Sequence, residues 1–364
     1  MAETWLRIAN PFGLDLVEVG DFLSLDYTRA LNDIGVLQVS LRPDFDMGFL
    51  PLDGRIQVWR QVSGYLAYLD TETVWFIRKI RRATTEGGDE LTVTAYSATE
   101  LLKRRIVAYN AQTAQSAKTD FADDMMKEIV YQNLGAGAIA ARDISAYLSI
   151  QADLGAGPTL TKAFSRRVLL PVLQELSDAS ADTGPRILFD IVAPTPDALE
   201  FRTYATRRGN DHSLSGASPL ILSTATGSLS SVEIEEDYSE EATYVYGRGD
   251  GALDAAVVEE AEDAARVGAS PLNRREVLTD AGNTINPTAV ANAALDGLEA
   301  GRPRRTFRAD IVDTPASLYG VHWAWGDEVS AEYGGVTYDC VVDRVHVSVT
   351  DAGESVEARL ERGA

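Results

Sequence analysis

Two stretches far apart in the chain carry one pattern, and nothing else in the sequence restricts the fold as much. The first is Ile80-Arg81-Arg82-Ala83-Thr84-Thr85-Glu86-Gly87-Gly88-Asp89-Glu90-Leu91-Thr92-Val93. The second is Val345-His346-Val347-Ser348-Val349-Thr350-Asp351-Ala352-Gly353-Glu354-Ser355-Val356-Glu357-Ala358. Strand, acidic-X-Gly-acidic turn and return strand coincide at a constant offset. Any two hairpins share this much. Upstream, however, Asp53-Gly54 precedes a strand in the first stretch and Gly326-Asp327 precedes one in the second. The shared order of turn, strand, connection and hairpin reads as two copies of one small β-barrel. Three chains carrying two similar barrels each can close a quasi-sixfold ring, a heterologous cyclic assembly.

Patterning fills in the parts. Leu37-Gln38-Val39-Ser40-Leu41 alternates as a half-buried strand does, and Arg55-Ile56-Gln57-Val58-Trp59 follows a turn signal. Val74 to Arg82 and Leu91 to Tyr96 are two further strands joined by Glu86-Gly87-Gly88-Asp89, where glycine supplies positive φ. A helix is expected from Ala98 to Val107 with Leu101, Leu102 and Ile106 on one side. Ala108 to Thr119 reads as a linker. Thr119 is a candidate cap for a helix in which Phe121, Met125 and Ile129 recur, ended by Gly135. A second helix covers Val168 to Ser180, with Leu169, Val172, Leu173 and Leu176 inward and Pro171 in its first turn. Ile187 to Ile191 and Leu199 to Thr203 form a hairpin around Pro194-Thr195-Pro196-Asp197. Strands return at Val232 to Glu236 and Ala242 to Tyr246. In the polar stretch that follows, Asn286 and Pro287 start a helix covering Val290, Leu295 and Leu298. From Arg305 the chain is strand again, with turns at Gly334-Gly335 and Ala352-Gly353.

The fold class expected is therefore α+β, mainly β: two related small β-barrels flanking an α+β domain, with a helical insertion in the second barrel. The boundaries are 1–108 for the first barrel, 109–228 for the middle domain, 229–250 with 304–364 for the second barrel, and 251–303 for the insertion. Residues 205–228 could alternatively return to the first barrel. A length of 364 residues fits two to four domains. No run of about 18 apolar residues exists to span a membrane, and no secretion signal is read at the N-terminus. Cys340 is the single cysteine, so neither an internal disulfide nor a cysteine-built zinc site is available.

The net charge of -22 favours solubility and disfavours binding to a phosphate backbone. The acid is uneven: between Glu233 and Asp263 the only base is Arg248. The three histidines, His212, His322 and His346, show no ligand spacing and no His-Glu-X-X-His pattern, which disfavours a zinc peptidase. No Gly-X-Ser-X-Gly elbow nominates a nucleophilic serine. Adjacent carboxylates are expected on the solvated faces of a chain with 55 acidic residues, so they do not indicate a glycosidase. Gly247-Arg248-Gly249-Asp250-Gly251 lacks the Lys-Ser/Thr ending of a phosphate loop and reads as a flexible exit from a strand. Arg78-Lys79-Ile80-Arg81-Arg82 and Lys103-Arg104-Arg105 are better suited to acidic neighbouring subunits than to nucleic acid. Catalytic, cofactor and metal residues are none.

Four segments carry a resemblance. They are Leu31-Asn32-Asp33-Ile34-Gly35-Val36-Leu37-Gln38-Val39-Ser40-Leu41, Asp53-Gly54-Arg55-Ile56-Gln57-Val58-Trp59-Arg60, Val172-Leu173-Gln174-Glu175-Leu176, and Tyr319-Gly320-Val321-His322-Trp323 leading into Gly326-Asp327. In this order and spacing the chain resembles the tail hub proteins of long-tailed bacteriophages, in particular the Gp37-like group of siphophage tail proteins. The resemblance implies a trimeric, ring-forming hub at the virion tail tip, made in the host cytoplasm. It joins the tail tube to the tip, with two related barrels flanking an α+β domain. Implied partners are other copies of itself, the distal tail protein ring, tip and receptor-binding proteins, and the tape measure protein, with DNA only in transit. The hub of a tail-derived injection machine is a sister reading. Some relatives continue into a peptidase or receptor-binding region, whereas here the chain stops at Ala364, so that activity is not expected. In such a ring the acidic run Glu233, Glu235, Glu236, Asp237, Glu240 and Glu241 is a candidate channel lining. Two alternatives stand beside this reading. One is a tail-tip cell-wall hydrolase. The other is a receptor- or carbohydrate-binding tail module in which Trp59, Trp75, Trp323 or Trp325 stacks on sugars, although tryptophans in strands are more often core.

Overall fold

The structure, a computed structural model, describes residues 2–85, 88–108, 116–195, 197–251, 255–282 and 284–361. Glu86 and Gly87 of the expected hairpin turn, Pro196 of the second turn and most of the expected 108–119 linker lie outside these residues. The protein is mainly β. Two compact units divide it: Met1–Val232 with Arg308–Ala364, and Glu233–Phe307.

The first unit is organised on a 14-stranded sheet. Along its main path the strands are Asp15–Val19, Ala2–Ala9, Arg55–Val62, Tyr68–Thr85, Gly88–Ser97, Val36–Leu41, Ser24–Ala30, Val336–Thr350, Gly353–Glu361, Arg304–Ile311 and Leu229–Asp237. Alternation is the local cause. In Ser24–Ala30 the buried residues are Leu25, Tyr27 and Arg29, every second one, as a two-residue side-chain period requires. The path is open, and none of the sheets closes into a barrel. This corrects the expectation of two barrels. The strand Val336–Thr350 does not curl back within its own half; its edge pairs with Ser24–Ala30 of the first half, Val345 opposite Arg29 and Val347 opposite Tyr27.

The internal repeat is nevertheless present in backbone detail. Thr85 faces Gly88 across one hairpin and Thr350 faces Gly353 across the other, with Gly88 and Gly353 at φ of 116° and 124°. Each long strand carries a bulge at the same place, between Ile77 and Lys79 and between Val342 and Arg344. Beside each bulge the upstream turn docks in the same way. Asp53 N–H donates to the Ile77 carbonyl (3.2 Å) and Ile77 N–H to the Gly54 carbonyl (2.9 Å). Gly326 N–H donates to the Val342 carbonyl (3.0 Å) and Val342 N–H to the Asp327 carbonyl (2.8 Å). The strand after each turn pairs with the long strand, Arg55 opposite Phe76 and Glu328 opposite Val341. Val36–Leu41 and Arg304–Ile311 hold matching places beside the two return strands. Ser24–Ala30 and Leu229–Asp237 then stand next to those. Each copy is therefore five strands. The short strands Asp211–His212 and Ile221–Ser223 run parallel to Glu328–Tyr333, in the second copy rather than the first.

The helices Ala122–Asn133 and Leu169–Thr183 form the middle segment with a hairpin of Ile187–Thr195 and Ala198–Ala205, which Leu148–Ile150 extends. Met125, Met126, Ile129, Val172, Leu173 and Leu176 bury against Phe189 and Phe201, and the same core takes in Val74 and Phe76 of the first copy. Pro171 lies in the first turn of its helix, as expected, because Leu169 is the first helical residue. Thr119 is not a cap: it lies in Ser116–Phe121, opposite Thr161 of Thr159–Phe164. The expected 98–107 helix shortens to Glu100–Lys103, because Val107 turns extended and its N–H bonds the Arg167 carbonyl at 2.7 Å. Ile106, expected inward, is exposed and bridges Val168.

In the second unit Tyr244–Arg248 lies between Val258–Glu262, antiparallel, and Glu276–Asp280, parallel. Pro287–Ala300 packs on this sheet, with Asn286 capping through its side chain to Thr288 N–H, as the Asn-Pro signal indicates. The core is small: Ala242, Val245, Ala261 and Ala294, with Leu298 against it. Leu295, expected on the covered side, is exposed, since Val290, Ala294 and Leu298 already define the buried stripe. Gly247 is part of the sheet rather than a flexible exit. A Cβ there would meet the Val290 carbonyl at 2.5 Å, so its absence lets the helix approach the strand.

Candidate functional site

Charged side chains at buried phases of the strands build two networks. Arg60, in phase with Ile56 and Val58, is buried and makes a two-pronged pair with Glu354, Nη2 to Oε1 at 2.5 Å and Nε to Oε2 at 3.1 Å. Its Nη1 donates to Tyr68 Oη at 2.6 Å and lies 3.7 Å from Asp70. Asp70 accepts from Tyr27 Oη (2.6 Å) and Tyr319 Oη (3.0 Å). Burial raises the Asp70 carboxyl above its ordinary value, with the Arg60 charge acting against it. Gly320 completes the fit at φ 75°, because a Cβ would overlap the Tyr68 hydroxyl. Arg60, Tyr68 and Asp70 belong to the first copy, and Tyr319 and Glu354 to the second part of the chain. The network therefore bolts the copies together.

The second network centres on Asp190, which accepts from Arg29 Nη2 (2.6 Å), Thr99 Oγ1 (2.9 Å) and Arg208 Nε (3.1 Å). Burial works against this carboxylate, but the charges of Arg29 and Arg208 prevail and hold its pKa below the ordinary value. Both guanidinium groups lie over the Trp325 ring, 4.4 Å and 4.5 Å from its centre. Pattern reading of the sequence did not single out these residues. Their signal was a charge at an apolar phase: Arg29 after Leu25 and Tyr27, Arg60 after Ile56 and Val58.

The histidines are engaged structurally. His212 Nδ1 lies 2.9 Å from the Ser218 carbonyl and its Nε2 3.6 Å from Asp327. His322 Nδ1 accepts the Leu318 N–H at 2.9 Å, and His346 Nδ1 lies 2.9 Å from Thr28 Oγ1. In these contacts no imidazole holds a hydroxyl and a carboxylate together as a nucleophilic set needs. Among the described residues no cluster of His, Cys, Asp and Glu is disposed to hold a metal, and no helix is long and apolar enough to cross a membrane. A cavity of about 470 Å³ is lined by Ser230, Asp310, Asp313, Glu354 and Glu357 among others, with no His, Lys or Cys in its wall. Trp75, Trp323 and Trp325 are buried. Trp59 is half-buried, stacked on Trp5 with centroids 6.3 Å apart and covered by Arg7 at 4.5 Å.

The acidic run divides. Glu233, Glu235, Glu236 and Asp237 are exposed on Leu229–Asp237, and Glu240 is exposed after it. Glu241 is buried instead, with Arg266 Nη1 at 3.5 Å and Asn273 Nδ2 at 3.4 Å, so it faces no channel within this fold. The basic runs divide too. Arg78 and Arg104 pair with Asp53 at 2.7 and 2.9 Å and Arg81 pairs with Glu90 at 3.2 Å, while Lys79 and Arg82 are exposed.

Three solved structures share this fold over almost their whole length. The tail protein from Neisseria meningitidis MC58 is 12% identical with a TM-score of 0.54, over 99% of this chain and 96% of that one. The 43 kDa tail protein of prophage MuSo2 from Shewanella oneidensis is 10% identical with a TM-score of 0.57, over 99% and 98%. Prophage tail protein gp18 from Listeria monocytogenes EGD-e is 12% identical with a TM-score of 0.51, over 98% and 94%. At these identities the likeness is one of fold. No curated protein sequence matches the chain. The family profile described as Siphovirus ReqiPepy6 Gp37-like protein matches residues 6–360. The chain thus belongs to the siphovirus Gp37-like family of phage tail proteins.

Proposed function

We propose that this tail protein is a hub at the tail tip: three copies close a ring that continues the tail-tube channel, passes the DNA and anchors tip proteins. The observation that carries the reading is the duplication, two five-strand copies sharing one sheet in one chain. Three such chains supply six nearly equivalent elements around an axis, the geometry needed to match a sixfold tube with a threefold set of subunits. The distal tail protein ring lies above and the tip and receptor-binding proteins below, with the tape measure protein inside before ejection. The role is mechanical and needs no catalytic residue or cofactor.

Within that ring part of the exposed set Glu233, Glu235, Glu236, Asp237 and Glu240 lines the channel, where carboxylates keep phosphate from binding the wall and stalling passage. Glu241 drops out of the set because it is buried. Light scattering on the purified chain, followed by negative-stain imaging, tests the reading. Three copies around a central hole are expected; a monomer, or an assembly without a hole, overturns it.

A further inference from the structure

The two arginines of the basic run Lys103-Arg104-Arg105 are treated differently by the fold. Arg104 pairs with Glu100 and Asp53 and lies over the Phe76 ring. Arg105 leads into a short ladder: its carbonyl accepts the Leu169 N–H (2.9 Å), and the Val107 carbonyl accepts the Arg166 N–H (2.8 Å). The Ile106 carbonyl between them accepts instead from Arg142 Nη2 at 2.6 Å, and the same Nη2 reaches Asn133 Oδ1 at 3.1 Å. Arg142 is thereby fixed beside Arg105. Both arginines are half-buried, and neither has a carboxylate partner among the described residues. Arg105 makes one bond, Nη1 to the Arg104 carbonyl at 3.3 Å, and its Nε is buried and meets no acceptor among those residues. Burial, and after it the Arg105 charge, holds the Arg142 guanidinium below its ordinary value. Acids on neighbouring segments are committed elsewhere: Glu175 to Arg167, Glu128 to Gln132 and Asp143 to the Ser145 N–H. In a chain of net charge -22, two partly buried cations without a counter-charge call for an anion from outside the chain.

We propose that Arg105 and Arg142 form a binding site for a phosphate group, either free phosphate or the head of a phosphate monoester. The planar fork of a guanidinium matches the oxygens of such an anion, and charge assistance strengthens each bond. Arg105 Nε–H supplies a donor that the fold leaves unused. Arg142, held by a backbone carbonyl and the Asn133 side chain, is preset rather than free to swing. Two cations suit the charge of about -1.5 to -2 on a phosphate monoester better than the single charge of a carboxylate or a diester. Lys103, exposed on the preceding turn, adds to the attraction. Ile106, exposed between the ladder residues, keeps the site open to solvent and offers the organic part of an ester an apolar contact. A bound phosphate joins the end of Glu100–Lys103, the end of Ala122–Asn133 and the approach to Leu169–Thr183, and so stabilises the middle segment. The site does not depend on the ring.

Isothermal titration calorimetry on the full-length chain tests this, with inorganic phosphate, phenyl phosphate, diethyl phosphate and acetate as probes. Saturable binding of inorganic phosphate is expected with a Kd below about 1 mM. Acetate and diethyl phosphate are expected to bind at least about tenfold more weakly. Phenyl phosphate separates the two sources: tighter binding than inorganic phosphate assigns the site to a monoester, and weaker binding assigns it to free phosphate. Arg105→Gln should weaken phosphate binding at least about tenfold and leave the melting temperature in phosphate-free buffer unchanged, because that side chain makes a single backbone bond. Arg142→Gln should weaken binding as much, and Arg105→Lys, which keeps the charge but loses the fork, should fall between. Lys79→Gln with Arg82→Gln, an exposed basic pair elsewhere on the chain, should change nothing. No saturable binding by the wild type, an affinity for acetate equal to that for phosphate, or an equal loss from the distant pair overturns the site.

Discussion

The two copies of the five-strand unit differ less in backbone than in what stands beside their long strands. In the second copy Arg344–Val349 is covered by Ser24–Ala30, Arg60 with Glu354 holds charge across the joined copies, and Arg29 with Asp190 ties the first copy to the middle segment. In the first copy the matching stretch exposes Lys79, Arg81 and Arg82 to solvent. The bulge, the docked turn and the hairpin persist in both because they are made of backbone hydrogen bonds, which tolerate a change of side chain. The edge chemistry diverged because one edge is a permanent interior and the other faces outward. A duplicated element can therefore keep its geometry while the side chains of each copy follow what stands beside it.

The largest break in this comparison is expected at Arg60. Arg60→Ala leaves Glu354 and Asp70 buried without their cation and should lower unfolding free energy by about 3–5 kcal/mol in urea titration. Replacing both partners, Arg60→Met with Glu354→Met, should recover the part of that loss owed to Glu354, while Asp70 still lacks its cation. A double variant as weak as the single one would mean that the network is not the bolt between the copies.

Asp190→Asn comes next, leaving Arg29 without its counter-charge and Arg208 with Glu72 alone, with an expected loss of about 3 kcal/mol. Its pH dependence has a definite sign. The folded carboxylate titrates below its unfolded value, so its contribution is complete above the ordinary carboxylate range and is lost as pH falls through the depressed pKa. The acid limb of a stability-versus-pH curve should therefore be shallower in the Asn variant than in the wild type.

The two hairpin glycines sharpen the comparison. Gly88→Ala and Gly353→Ala force alanine into positive φ at matching positions and should each cost about 1–2 kcal/mol in thermal melts. Similar losses at the two sites support backbone equivalence, whereas a loss at one alone breaks it. The smallest effect is expected in the second unit, where Leu295→Ser, on the exposed side of Pro287–Ala300, should change stability by less than about 0.5 kcal/mol. A large loss there would mean that this face is covered.

Much of the local structure is legible in the sequence. Alternation placed the strands, Asn286 and Pro287 placed a helix start, and glycines in acidic turns placed the second hairpin, all features set within a few residues of each other. Where neighbours distant in sequence intervene, local reading failed. Val107 left its expected helix to pair with Arg167, Thr119 joined a strand opposite Thr161, and Glu241 turned in toward Arg266. Gly247 looked like freedom and turned out to be close packing.

The sequence by itself determined the repeat and the order of its strands, because hairpins, bulges and turns are encoded by short-range period and by residues that tolerate positive φ. Tertiary structure alone decided which edges meet. A strand's pattern specifies which face is buried but says nothing about which other strand lies alongside. The pairing of Val345 with Arg29 therefore joined what had read as two closed barrels into one open sheet.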